Sequence, residues 1–241
     1  MHLGVVVKNA GLYMIDHLEF IKSQQSLGMS NVETSSKCSL HCPQCTRAKL
    51  QAPKDSNKYK EIKTRINNGF DLSLKDAEKL LRFFDTGVML CGQLSDAIFW
   101  PDLFPFLEFS KTYPNKNIRI MTAASQKNIE WYRTAFELSH KNVTWAFGID
   151  GLKDTSMIYR IGQNSKLLFD AMLLGRTLGV KIEWHYIVFD YNLHQIEEAK
   201  DFANRHGIIL NLVKSNRGSD SIKIPEEWKP KRNKEIIYDF V

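Results

Sequence analysis

The chain of 241 residues has no apolar run near the roughly 18 that a membrane-spanning helix needs. An early stretch, Leu3 to Val7, is broken at once by Lys8 and Asn9. The charged start, long apolar middle and small-residue cleavage site of a secretory signal are missing as well, so a cytoplasmic protein with no membrane partner is expected. No GxGxxG follows the first candidate strand and no GxxxxGK[ST] occurs anywhere, which removes the usual support for a dinucleotide-binding or P-loop reading. Repeats and low-complexity tracts are absent too. With 43% hydrophobic and 25% charged residues, disorder and fibrous architectures are excluded in favour of a folded chain able to bury a core.

Cysteine is scarce, with 4 in the chain, and its placement is uneven. Cys38, Cys42 and Cys45 crowd into one stretch while Cys91 stands alone, and none follows it. A disulfide framework would need wider, paired spacings and an oxidising compartment. A clustered trio instead points to metal. In the pattern C-x3-C-x2-C, three thiolates on one tight loop can hold three corners of an iron–sulfur cubane and leave the fourth iron without a protein ligand. A structural zinc site would need a fourth ligand, for which His41 and Cys91 are the candidates.

From about residue 30 onward, short β-branched or apolar runs alternate with segments of helical period. The strands are expected at Ser30 to Thr34, Gly87 to Cys91, Ile118 to Thr122, Val143 to Ile149, Lys181 to Phe189 and Ile208 to Val213. Helices are expected at Leu74 to Phe84, Pro101 to Thr112, Asn128 to Ser139, Ser165 to Leu178 and Gln195 to Arg205, the first capped by Ser73 with Asp76 three residues on. Such a repeat means parallel strands joined by crossovers, and periodicity alone allows either an open doubly wound sheet or a partial barrel. The cysteine cluster follows the first strand, at the end where parallel α/β folds place their chemistry. Residues 1–29 read as a strand and an amphipathic helix preceding the repeat, 30–214 as the repeat itself, and 215–241 as an extension over the surface.

The formal charge of +6 is concentrated between Thr46 and Asn67, where seven basic residues face only Asp55 and Glu61. Such a run is a solvated surface or a site for nucleic acid or an acidic protein; Tyr59 is its only aromatic residue, so base stacking is poorly served.

Taken with its surroundings, the cysteine loop resembles that of the radical S-adenosylmethionine (SAM) enzymes, in particular the peptide-modifying and sulfatase-maturing branch. The resemblance spans about residues 30 to 214. Cys91-Gly-Gln-Leu-Ser-Asp96 is similar to the family's glycine-rich stretch, Met121-Thr-Ala-Ala-Ser125 stands where relatives often carry Thr-Asn-Gly-Ser, and Phe147-Gly-Ile-Asp-Gly151 through Tyr159-Arg160 resembles a Ser-Ile-Asp-Gly…Tyr-Arg segment. Tyr186-Ile-Val-Phe189 followed by Asn192, His194 and Gln195 matches the branch's fifth strand and turn.

The resemblance implies a partial (β/α)6 TIM-like barrel, a [4Fe–4S] cluster on Cys38, Cys42 and Cys45, and reductive cleavage of SAM to a 5′-deoxyadenosyl radical that abstracts hydrogen from a substrate. It also implies a low-potential electron donor such as a flavodoxin or ferredoxin, and SAM contacts from Gly92, Gln93, Ser95, Asp96, Thr122, Ser125, Asp150, Arg160, Ile187 and Val188. Several of these have a plainer reading: Arg160 as one half of an ion pair, Asp96 as the start of a loop, Asp150 in an Asx turn, Ile187 and Val188 as core, His41 in solvent. Cys91 is a buried hydrophobe or a hydrogen donor to a substrate radical. The missing cysteines past Cys91 imply no auxiliary cluster. The branch points to a peptide or protein side chain as substrate; a nucleotide or nucleic acid, or a zinc-stabilised nucleic-acid-binding protein, are the alternatives. Departures from the family pattern stand at Gln44, Ser95, Ala123, Ala124 and Gly148.

Overall fold

The computed structural model describes residues 29–45, 47–48, 60, 63–64, 67–92 and 94–230. The expected N-terminal strand and helix, most of the basic run, Gln93 and residues 231–241 lie outside the described residues.

Six strands form one sheet: β1 (Ser30–Val32), β2 (Gly87–Leu90), β3 (Asn117–Thr122), β4 (Val143–Gly148), β5 (Lys181–Ile187) and β6 (Ile209–Val213). All neighbours are parallel, and their order in space is their order in sequence. That order decides between the two architectures periodicity allowed. A doubly wound sheet reverses direction at a switch point, whereas a sheet whose crossovers all step the same way keeps its helices on one face and curls. The result is a partial barrel, not closed, with β1 and β6 at its two edges.

Five α-helices cover the outer face among the described residues: α1 (Leu74–Phe83), α2 (Leu103–Ser110), α3 (Ile129–Leu138), α4 (Ser165–Thr177) and α5 (Ile196–His206). Their starts are set by short polar side chains that accept the first free amides. Ser73 Oγ takes Asp76 N–H, Asn128 Oδ1 takes Trp131 N–H at 2.9 Å, and Asn164 Oδ1 takes Leu167 N–H at 3.1 Å. Helix α5 ends on Gly207 at φ 62°, a left-handed conformation that costs glycine little.

Alternation along the strands sorts residues to the two faces. Trp145 and Phe147 of β4 meet Tyr132 and Phe136 of α3, and Trp184 of β5 meets Phe169 of α4 and Phe202 of α5. These large aromatics make the core between sheet and helices. The intervening residues, Ala146, Gly148, Glu183, His185 and Ile187, face the barrel interior, which is therefore small or polar where the outer layer is large and apolar.

Strands β2 and β4 end one residue sooner than the sequence suggests and β1 and β5 two residues sooner, the latter two each for a visible reason. Thr34 to Ser36 leave β1 to pair antiparallel with the segment before α1, through Leu72 N–H to Thr34 O and Ser36 N–H to Phe70 O. Strand β5 stops at Ile187 because the Asn192 side chain takes over the Ile187 carbonyl and the Phe189 amide. The segment after β6, read from sequence as a surface extension, instead folds back: Asp190 N–H donates to Lys223 O, and Ile222 and Ile224 are buried in the core.

Candidate functional site

A cavity of about 210 Å³ opens at the C-terminal ends of the strands. Cys38, Cys42 and Cys45 border it from the loop after β1, Cys91, Gly92, Ser95 and Asp96 from the loop after β2, and Met121, Thr122 and Ala123 from the end of β3. Gly148, Arg160, His185 and Ile187 complete the far side. Ser125, Asp150 and Val188 do not border this cavity. Ser125 Oγ instead accepts Asn164 N–H at 2.6 Å, and Val188 is fully buried.

The cysteine loop turns tightly at Cys45, whose N–H donates to Cys42 O at 3.1 Å, and is tied to the β4–α4 connection through His41 N–H to Ile161 O at 3.0 Å. His41 itself is exposed at the cavity's edge. Burial pushes the Cys38 thiol up to about 12, with the Asp96 carboxylate adding to it, and the Cys42 thiol up to about 11, where Arg160 and Arg217 work in the opposite direction. Cys91, fully enclosed and facing Glu33, is pushed up to about 12 by burial.

The donor set suits a cubane: three cysteines on one tight loop at the cavity's edge offer thiolates for separate corners and leave a fourth without a protein ligand. The Tyr159 hydroxyl is fully buried without a hydrogen-bond partner and lies within the electrostatic reach of Cys42, Arg217 and Arg160. A donor left unsatisfied beside a cysteine suits a site whose sulfur becomes charged when a cluster binds.

The loop after β2 is held from below. Glu33, 6% exposed, accepts Leu94 N–H at 3.0 Å and the Ser95 hydroxyl. A Cβ on Gly92 would lie 2.4 Å from Glu33 Oε1 and 2.5 Å from Ser95 O, so only glycine admits this close packing. Asp96 borders the cavity and also ties the loops around it together. Its carboxylate accepts the amides of Ala123 and Ala124 at 2.7 and 2.9 Å and caps the following 3-10 turn through Ile98 N–H, while burial raises its pKa.

Asp150 forms neither an Asx turn nor a wall of the cavity. It is fully buried behind Arg160, with Arg160 Nε 2.7 Å from Oδ2, Nη2 donating to Oδ1 at 3.3 Å, and Ile187 N–H donating to Oδ1 at 2.9 Å. Burial alone would lower the Arg160 pKa; Asp150, then Cys42, more than offset it and hold the guanidinium charged. Gly148 makes room for this arrangement, since a Cβ there would sit 2.9 Å from Arg160 Nη2 and 3.0 Å from Cζ. The serine-to-glycine departure in the sequence is thus filled by the arginine itself.

Several site residues carried no functional assignment in the sequence. Glu33 is a lone carboxylate at the end of a strand run, a signal that was present and legible. His185 and Glu183 alternate with Ile182, Trp184 and Tyr186, a period-two polar face that marks the barrel interior. His185 Nε2 lies 3.1 Å from Glu183 Oε2, Asn211 joins both, and Arg119 donates to Glu183 at 2.8 Å across the small Ala146. Arg217 reaches the cavity from the folded-back segment after β6, which no local pattern announces.

No protein-family model and no curated protein matches the chain. Among solved structures, SuiB of Streptococcus suis bound to S-adenosylmethionine aligns with 95% of this chain and 51% of its own, at a TM-score of 0.62 and 15% identity. The structure of anSMEcpe with bound AdoMet aligns with 79% of this chain and 53% of its own, at a TM-score of 0.51 and 13% identity. The chain spans about half the length of these structures. At such identities the likeness is one of fold: this chain shares the partial-barrel architecture of these structures, both solved with S-adenosylmethionine bound.

Proposed function

We propose that the chain is a radical SAM enzyme acting on a peptide or protein side chain. The observation that carries this reading is the meeting, in one cavity at the strand ends, of the three-cysteine loop, the glycine-bearing loop after β2 and Arg160. Cys38, Cys42 and Cys45 would hold a [4Fe–4S] cluster, and the open iron would take SAM. When bound, and given one electron by an external low-potential reductant, these groups would supply reductive cleavage of the sulfonium and hydrogen abstraction from an unactivated C–H.

The protein's own part is placement and exclusion. Gly92 lets the loop after β2 close against Glu33 and Ser95 at the cavity's edge, Arg160 offers a charged guanidinium to a ligand carboxylate while Asp150 fixes its plane, and Ile187 gives an apolar wall beside it. A reactive radical requires that water be kept from the cavity, and a substrate bound at its mouth would complete that exclusion. The peptide assignment is supported by SuiB, also solved bound to the precursor peptide SuiA, and by anSMEcpe, solved with AdoMet and the Kp18Cys peptide. An acidic low-potential protein such as a flavodoxin or ferredoxin is the electron donor this reading needs.

The test is anaerobic reconstitution followed by chromatography of reactions with reductant and SAM. About four irons per chain and slow formation of 5′-deoxyadenosine without substrate are expected, with both lost in Cys42→Ala and uncoupled cleavage retained in Cys91→Ala. Zinc in place of iron, about eight irons in two distinct clusters, or a full cluster that never yields 5′-deoxyadenosine would overturn the reading.

A further inference from the structure

The loop after β2 is gripped by opposite charges at a single residue. Leu94 donates its N–H to the Glu33 carboxylate at 3.0 Å, and its carbonyl accepts from Arg47 Nη1 at 2.8 Å. The same Nη1 donates to the carbonyl of Ser36, just ahead of Cys38. A third tie runs between the loops, from Asp96 N–H to Lys37 O at 2.9 Å. One guanidinium nitrogen therefore bridges the carbonyl of the cysteine loop to the carbonyl of the glycine-bearing loop, and Arg47 also borders the cavity itself.

We propose that Arg47 is a positioning residue that couples the two loops, so that ordering the cysteine loop around a cluster also orders the backbone that receives SAM. The chemistry favours arginine for the task. Two carbonyls from different loops each carry partial negative charge and would repel across a gap; a delocalised cation between them removes that repulsion and satisfies both acceptors. Glu33 then completes the arrangement from the other side of the Leu94 peptide, so neither loop can shift without breaking a charge-assisted bond. In the sequence Arg47 is one basic residue of a charged run; in the structure it borders the cavity two positions after the last cysteine.

This inference rests on the proposed function only in its second arm. Amide hydrogen exchange on the metal-free, full-length chain reads the coupling directly. Arg47→Ala should speed exchange at Leu94 and Asp96 and at Lys37 together by about tenfold, with Ile120 and Phe147 in the sheet unchanged, and Arg47→Lys should restore part of the protection. Should the alanine variant not fold, Arg47→Met, which keeps an unbranched side chain but has no donor for either carbonyl, is measured in the same way. Faster exchange in only one of the two loops, or in neither, would sink the proposal.

In cluster-loaded protein the SAM concentration that half-saturates the change in the electron paramagnetic resonance spectrum should rise about tenfold in Arg47→Ala and less in Arg47→Lys. An unchanged half-saturation would also overturn the coupling. Failure of the wild type to take up a cluster would instead count against the proposed function, and leaves the exchange measurement to decide the role of Arg47.

Discussion

Arg160 shows how one side chain serves architecture and ligand at once. Asp150 is fully buried and Arg160 is its counter-charge, so Arg160→Ala leaves a carboxylate in the interior with only the Ile187 amide. Removing one partner of such a pair is costly even where the pair itself adds little. Urea denaturation of the metal-free protein should show a loss of about 3 kcal/mol for Arg160→Ala, in addition to weaker SAM binding once a cluster is present. Wild-type stability in this variant would mean that Asp150 is not held by Arg160. Gly148→Ser is the complementary test, because its Cβ would enter the space of the guanidinium; a loss of about 1–3 kcal/mol is expected by the same measurement, and a neutral result would show that the arginine can move aside. The cysteine trio was legible from spacing alone, and Arg160 from its place after Tyr159. The Arg160–Asp150 pair was not, since it joins a strand end to the close of a 3-10 turn and follows no helical or strand period.

Among the elements, the turn after β5 ties two neighbouring strand ends together. Asn192, fully buried, donates Nδ2 to Asp150 O at 3.0 Å and Ile187 O at 2.9 Å, and accepts Phe189 N–H at 2.8 Å. One side chain thus ties the end of β4 to the end of β5 and terminates the latter. Asn192→Ala would strand three buried backbone groups, and a loss of about 3 kcal/mol in urea denaturation is expected, with faster amide exchange at Phe189. A change within the ordinary range of a surface substitution would show that water replaces the amide without cost. Strand and helix positions followed the sequence closely because turn residues and caps act locally. The two early strand endings did not, because the groups that end them, Phe70 to Leu72 and Asn192, compete for backbone partners from outside the strand.

For the whole molecule, the sequential order of six parallel strands leaves an interior that the core does not fill with apolar side chains, and a charged network occupies it. Arg119 of β3, Glu183 and His185 of β5 and Asn211 of β6 meet there, made possible by Ala146 between the outer two strands. Burial alone would raise the Glu183 pKa, but the hydrogen bond from His185 and the charge of Arg119 outweigh it and hold the carboxyl below its ordinary value of 4.5. A carboxylate whose pKa is depressed by folding adds stability above the unfolded value, and that stability is lost as pH falls through the folded value. The neighbouring site contains the opposite case, since burial raises Asp96, so total acid stability mixes the two signs. Glu183→Gln isolates the first. Urea denaturation of the metal-free wild type and Glu183→Gln at pH 7, 5, 4 and 3.5 should show the wild type more stable at and above pH 5, with the gap closing as the pH drops below about 4.5. A gap that stays constant or widens on acidification would mean that Glu183 is not ionised in the folded barrel, and Arg119 would then be held by something other than its charge.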